Sequence, residues 1–275
     1  MVSDCERHPF LCILSSILGW LYVACWSVSF YPQIYSNNQR KSVTGLSCDY
    51  IIANFYGFLC YALFNTTMYF SETARAEYRQ RHASKDILVT LNDVVFAVHA
   101  TCMAFIFLVQ YWKYRQPNEE PSILGIGLAI SITGMIVLGA VLTLGRLIPL
   151  LDYLYALSYI KLVLTVIKCI PQAWLNFIRK STHGFSIANV LLDFFGGILS
   201  ISQLILDAFI SGHLFGIFGY LPKLILGVIS ILFDVLFILQ HYVWYAEASG
   251  PHLVAHEQFR PVDKAAATEK GSPVE

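Results

Sequence analysis

Charge is what this 275-residue sequence has least of. Only 13% of its residues are Asp, Glu, Lys or Arg, against 56% hydrophobic, and 18 basic residues cancel 18 acidic ones. A water-soluble domain carries about a quarter charged residues, so this chain has too few to cover a water-facing surface. With no net positive charge and no basic patch, nucleic acid is excluded as a partner. No CxxC pair occurs among the cysteines, Cys5, Cys12, Cys25, Cys48, Cys60, Cys102 and Cys169, which are scattered mostly inside apolar runs. Neither a disulfide framework nor a metal site is indicated, and no cofactor is expected. No nucleophile stands beside a base, which argues against an enzyme. A cleavable signal peptide is missing too, because residues 1–10 are short and mixed in charge and the first apolar run leads directly into a proline-bearing helix.

Apolar runs are abundant instead. About 20 apolar residues span a bilayer, and seven runs qualify, at about 11–35, 46–70, 88–112, 123–145, 151–177, 187–211 and 216–245. The expected class is an all-α membrane protein, with the lipid bilayer as its first partner.

The chain is organised around a stretch that occurs twice. PQAWLNFIRKSTHGFSIANVLLDFFGG (171–197) lies, without a gap, on PQIYSNNQRKSVTGLSCDYIIANFYGF (32–58) after a shift of 139 residues. The identities are Pro32/Pro171, Gln33/Gln172, Asn37/Asn176, Arg40/Arg179, Lys41/Lys180, Ser42/Ser181, Gly45/Gly184, Ser47/Ser186, Phe55/Phe194 and Gly57/Gly196. Asn54 pairs with Asp193. A further likeness, LNDVVF around Asp93 and LFDVLF around Asp234, aligns once two residues are gained. A repeat of this length implies a duplicated helical unit. The division expected is a first three-helix repeat (1–114), a linker with the glycine-rich fourth helix (115–147), a second three-helix repeat (148–245) and a disordered cytoplasmic tail (246–275).

Polar groups inside the apolar runs are the candidate site, since charge within a membrane is costly and by default lines a pathway. Lys161 and Lys168 lie seven apart on one helix, Asn189 and Asp193 one turn apart on the next, and Asp234 is near the centre of the last. Pro32 and Pro171 interrupt their helices and are candidate hinges together with Gln33 and Gln172. Residues 71–87, the most charged stretch, read as a loop. Asn65-Thr66-Thr67 matches a glycosylation sequon at a helix end. Asp152 and Asp207 read as solvated carboxylates at helix ends. Lys and Arg cluster after the first, third and fifth helices and in the tail, which puts the C-terminus in the cytoplasm and the N-terminus outside or in a lumen. The charged loop 71–87 runs against that rule.

Two Pro-Gln pairs at one depth in two three-helix units joined by a fourth helix resemble the PQ-loop transporter family. SFYPQ (29–33), YIKLVLTVIK (159–168), NVLLDFFGG (189–197) and FDVLFILQH (233–241) resemble the branch of it that exports cystine with protons from lysosomes or vacuoles. The resemblance covers about 19–245. It implies two parallel three-helix bundles, L-cystine and protons as partners, and a lysosomal or vacuolar membrane location. It assigns substrate contact to Asn54, Lys161, Lys168, Asn189, Asp193 and Lys223, and proton coupling to Asp93 and Asp193, with Asp234 as a third group. Asn176 joins the set as a neutral hydrogen-bonding partner. Departures from that branch are Cys169-Ile170 in place of an aromatic pair, no long lumenal N-terminal domain and no Gly-Tyr-x-x-hydrophobic signal in the tail. Rival readings are a PQ-loop exporter of cationic amino acids, a sugar transporter of the SWEET type, a seven-helix receptor and a cargo receptor of the KDEL type. For Asp193, the competing reading is a structural ion pair between the bundles.

Overall fold

The structure, a computed structural model, describes residues 8–43, 46–82, 87–115, 120–182, 186–211 and 221–246. Eight α-helices account for nearly all of them: α1 (Pro9–Arg40), α2 (Cys48–Phe70), α3 (Glu72–Arg81), α4 (Leu91–Tyr114), α5 (Ile123–Leu144), α6 (Leu150–Arg179), α7 (Ile187–Ile210) and α8 (Leu221–Leu239). A π turn, Gln240–Trp244, extends α8. All but α3 belong to segments long and apolar enough to cross a membrane, seven in number. The helices α1 and α6 continue through Pro32 and Pro171 rather than ending there. Apart from Ala246, the tail expected at 246–275 lies outside the described residues.

The stretch 71–87 corrects the sequence reading, because it contains α3. The Ser71 hydroxyl accepts from the Ala74 N–H, Glu72 sits in the first turn, and Arg79 and Arg81 sit in the last, each favourable for a short helix. The helix anchors α6, since Glu77 accepts from the Leu151 N–H at 2.8 Å and Arg81 pairs with Asp152. Asn65 is fully buried inside α2 and donates to the Tyr61 carbonyl, so the sequon presents no free amide. Cys12 is disulfide-bonded, whereas Cys25, Cys48, Cys60, Cys102 and Cys169 are free thiols.

The repeated residues perform repeated tasks. Gln33 donates to Asn37 at 2.9 Å, Asn37 to Gln110 of α4 at 3.2 Å, and Gln110 to the Ile34 carbonyl at 3.0 Å. In the second copy Gln172 donates to Asn176 (3.1 Å), Asn176 to Gln240 (2.9 Å), and Gln240 to the Ala173 carbonyl (3.0 Å). The backbone of the same asparagines caps each helix: Lys41 and Lys180 turn left-handed, at φ 49° and 50°, and donate to the Asn37 and Asn176 carbonyls. That turn is usually given to glycine. Ser47 and Ser186 then start α2 and α7 by accepting from Tyr50 and Asn189 N–H groups.

These triads also reset the register of the third helices. Gln110 and Gln240 are equivalent, 130 residues apart, and Phe107 and Phe237 bury against α2 and α7 in the same relation. Continued back at this offset, Asp93 matches Lys223, not Asp234, and Asp234 matches Ala104. The LNDVVF/LFDVLF likeness is thus a coincidence of composition, about three helical turns out of register.

Neighbours repeat as well. In the first copy α4 packs against both α1 and α2; in the second α8 packs against both α6 and α7. The most extensive contacts run between copies, α1 on α7 and α2 on α6. Gly196 admits the Trp26 ring to α7, where a Cβ would collide with it, and the Trp26 indole donates to the Asp193 carbonyl at 3.0 Å. The linker α5 is the least buried span, with its apolar side chains outward. Of its glycines, Gly127 and Gly134 face open space, while Gly125 and Gly139 meet Asp49 and Tyr153.

Candidate functional site

Between the copies lies a two-lobed cavity. One lobe, of about 60 Å³, is bounded by Ser29 and Gln33 of α1, Tyr50, Asn54 and Phe58 of α2, and the α6–α7 residues Lys168, Asn189 and Asp193. The other, of about 40 Å³, shares Tyr50, Lys168, Asn189 and Asp193 and adds Cys169, Ser230, Phe233, Asp234 and Phe237. The two lobes therefore meet along one polar seam. Lys168 sends its ammonium to Asn54 Oδ1 at 2.9 Å and lies 5.5 Å from the Phe58 ring centre.

Across the seam, Asp193 accepts from the Ser230 hydroxyl at 3.1 Å, and Asp234 lines the same lobe. The outer oxygen of Asp234, Oδ2, is buried with no partner. The seam thus carries one cation, two carboxyl groups and two amides, Asn54 and Asn189. That combination complements a zwitterion: carboxylates for an ammonium, and lysine and amides for a carboxylate.

Of the residues expected to contact substrate, the structure gathers Asn54, Lys168, Asn189 and Asp193 at the cavity. Lys161 lies behind its wall, with the ammonium 3.7 Å from the Phe58 ring centre. Asn176 is in the Gln172–Gln240 triad. Lys223 is remote, paired with Asp93 at 2.8 Å and with Gln203 at 3.0 Å. Of the expected proton-coupling residues, Asp193 and Asp234 share the cavity and Asp93 does not. The Asp93 carboxylate also accepts from Tyr22 at 2.6 Å and caps α4 through Thr90. Among the hinge residues, Gln33 lines the cavity and Gln172 is buried in its triad.

Sequence reasoning missed Tyr50 and Ser230, which bound the cavity, and Gln110 and Gln240, which close the triads. The two glutamines had a signal: each is a buried amide near the end of the third helix of its copy. Tyr50 and Ser230 had none, being common residues in unmarked positions.

Comparison with known proteins agrees with the internal repeat. The PQ loop repeat family model matches residues 14–74 and 153–212, again 139 apart at their starts. A Drosophila melanogaster protein named cystinosin is 46% identical over 231 residues, 84% of this chain but 58% of its own length. A Dictyostelium discoideum cystinosin homolog is 43% identical, covering 86% of this chain and 82% of its own length. A Saccharomyces cerevisiae protein named cystine transporter is 29% identical over 89% of this chain and 98% of its own. The chain thus spans little more than half of the fly relative and most of the amoebal one. On the paired repeats and these similarities, the chain belongs to the PQ-loop family, in the group that bears the name cystinosin.

Proposed function

We propose that this chain is a membrane carrier for L-cystine that couples cystine movement to protons and moves both from an acidic lumen to the cytosol. The observation that carries the reading is the polar seam, where Lys168, Asn54 and Asn189 share one cavity with the carboxyl groups of Asp193 and Asp234. Each end of cystine is a zwitterionic amino-acid head, and the seam offers both signs of partner. The names of the relatives support the substrate; the carboxyl pair supports the proton. A carboxyl withdrawn from water holds its proton more firmly, so the pair loads on the acidic side and unloads when water reaches it from the neutral side.

Small-molecule sites usually measure about 300 Å³ or more, and neither lobe approaches that. The site must open for its ligand, which fits alternating exposure by rocking of one repeat against the other. Pro32 and Pro171, each at the cavity end of its helix, are the hinges in this reading. The disulfide at Cys12 supports an N-terminus in an oxidising lumen, with the C-terminus cytoplasmic and the membrane lysosomal or vacuolar.

The test is uptake by purified protein in liposomes, comparing cystine, lysine, arginine and glucose with and without a pH gradient. Cystine uptake raised several-fold by acid on the donor side, with the other three near background, is the expected outcome. Preference for lysine or arginine would make the chain an exporter of cationic amino acids. Binding without uptake of any of them would make it a receptor.

A further inference from the structure

A second polar cluster stands apart from the cavity, where four helices meet. It comprises Ser15, Gly19 and Tyr22 of α1, Thr90, Asn92 and Asp93 of α4, Gln203 and Asp207 of α7, and Lys223 of α8. Asp207 was expected to be a solvated helix-end carboxylate, but it is 8% exposed and accepts a hydrogen bond from Ser15 across the two copies. Asp93 and Lys223, at 1% and 2% exposure, are the repeat-equivalent pair. The titratable groups facing one another here are Tyr22 from α1, Asp93 from α4, Asp207 from α7 and Lys223 from α8. Among the described residues, the cluster therefore holds two carboxyls and one ammonium, and the ammonium is paired with Asp93.

Among the described residues, this cluster has one negative charge in excess when both carboxyls are ionised. Asp93 is fully provided for as an anion: Tyr22, Thr90 and Lys223 all donate to it. Among the described residues, the donor to Asp207 is the Ser15 hydroxyl. A buried excess charge is costly, and a proton removes it. A second polar group is unsatisfied in the same cluster: among the described residues, the Asn92 amide nitrogen is buried beside Gln203 over Gly19 with no hydrogen-bond partner.

We propose that Asp207 is a proton-binding site distinct from the Asp193–Asp234 pair, occupied while α1, α4, α7 and α8 are closed on one another. Closure buries Asp207 and so takes up a proton; opening hydrates it and lets the proton go back to the same side. By linkage, acid on that side favours closure, without adding a proton to those carried across. The gating half rests on the carrier reading above, while the proton site itself does not.

Infrared spectroscopy of purified protein in lipid tests the site directly, through the carbonyl stretch of protonated carboxyls recorded against pH. Wild type should show a band that disappears in Asp207→Asn, persists in Asp207→Glu, and titrates apart from the band removed by Asp193→Asn. A wild-type band unaltered by Asp207→Asn would overturn the proposal, whatever the protein transports. Ser15→Ala, which leaves both carboxyls in position, should shift the titration of the Asp207 band; no shift would remove Ser15 from the site. In the uptake assay, Asp207→Asn should blunt the pH dependence while keeping the proton-to-cystine ratio. A ratio lowered by one proton would make Asp207 a coupling residue and overturn the gating half.

Discussion

At the scale of single residues, the repeated asparagine has the most to do. Asn37 and Asn176 each use the side chain to join two glutamines and the main chain to receive the left-handed cap. This explains why Pro-Gln, Asn and Arg-Lys-Ser recur together at fixed spacing, something visible as pattern in the sequence but not as cause. The triads tie the first helix of each copy to the third, so their loss is structural before it is functional. Gln110→Ala and Gln240→Ala should each destabilise the protein by about 1–3 kcal/mol, since each strands a buried amide of its asparagine partner. Thermal unfolding in detergent measures it, and loss of cystine binding without any loss of stability would contradict the assignment. The charges themselves were legible individually, because intramembrane Lys and Asp stand out in apolar runs. Their neighbours were not: Lys223 paired with Asp93, and Asp193 in one lobe with Asp234, are set by helix packing that no local pattern encodes.

At the scale of helices, the shift of 139 residues carried the first two helices of each copy correctly, and the third needed another offset. The connection between second and third helices differs in length, 71–90 in the first copy against 211–220 in the second, so a single alignment could not serve all three. The two cross-copy contacts also differ in tightness. A Cβ at Gly196 runs into the rigid Trp26 ring, whereas one at Gly57 meets the Lys161 chain at 3.4 Å, an ordinary contact with a flexible stem. Gly196→Ala should therefore push α1 from α7, costing about 1–3 kcal/mol, and reduce uptake strongly. Gly57→Ala should be tolerated. Equal tolerance at both positions, by unfolding and by uptake, would mean that the close approach of α1 to α7 is not required.

For the molecule as a whole, the two copies are alike in scaffold and unlike in charge. Asn54 and Ala104 of the first copy stand where the second has Asp193 and Asp234, so both carboxyls of the cavity belong to one side. An Asn at 193 would fill the same space without the cost of burying a charge, and the acid is retained for what it can bind. The central claim is that cystine and protons move together through this pair. Its most direct test is the pH change inside liposomes on adding cystine, compared among wild type, Asp193→Asn and Asp234→Asn. Wild type should acidify the receiving compartment in proportion to the cystine delivered, and each variant should lose that coupled flux at least tenfold while still folding and reaching the membrane. Cystine delivered by wild type with no accompanying proton, or by Asp193→Asn with the full complement, would contradict the account.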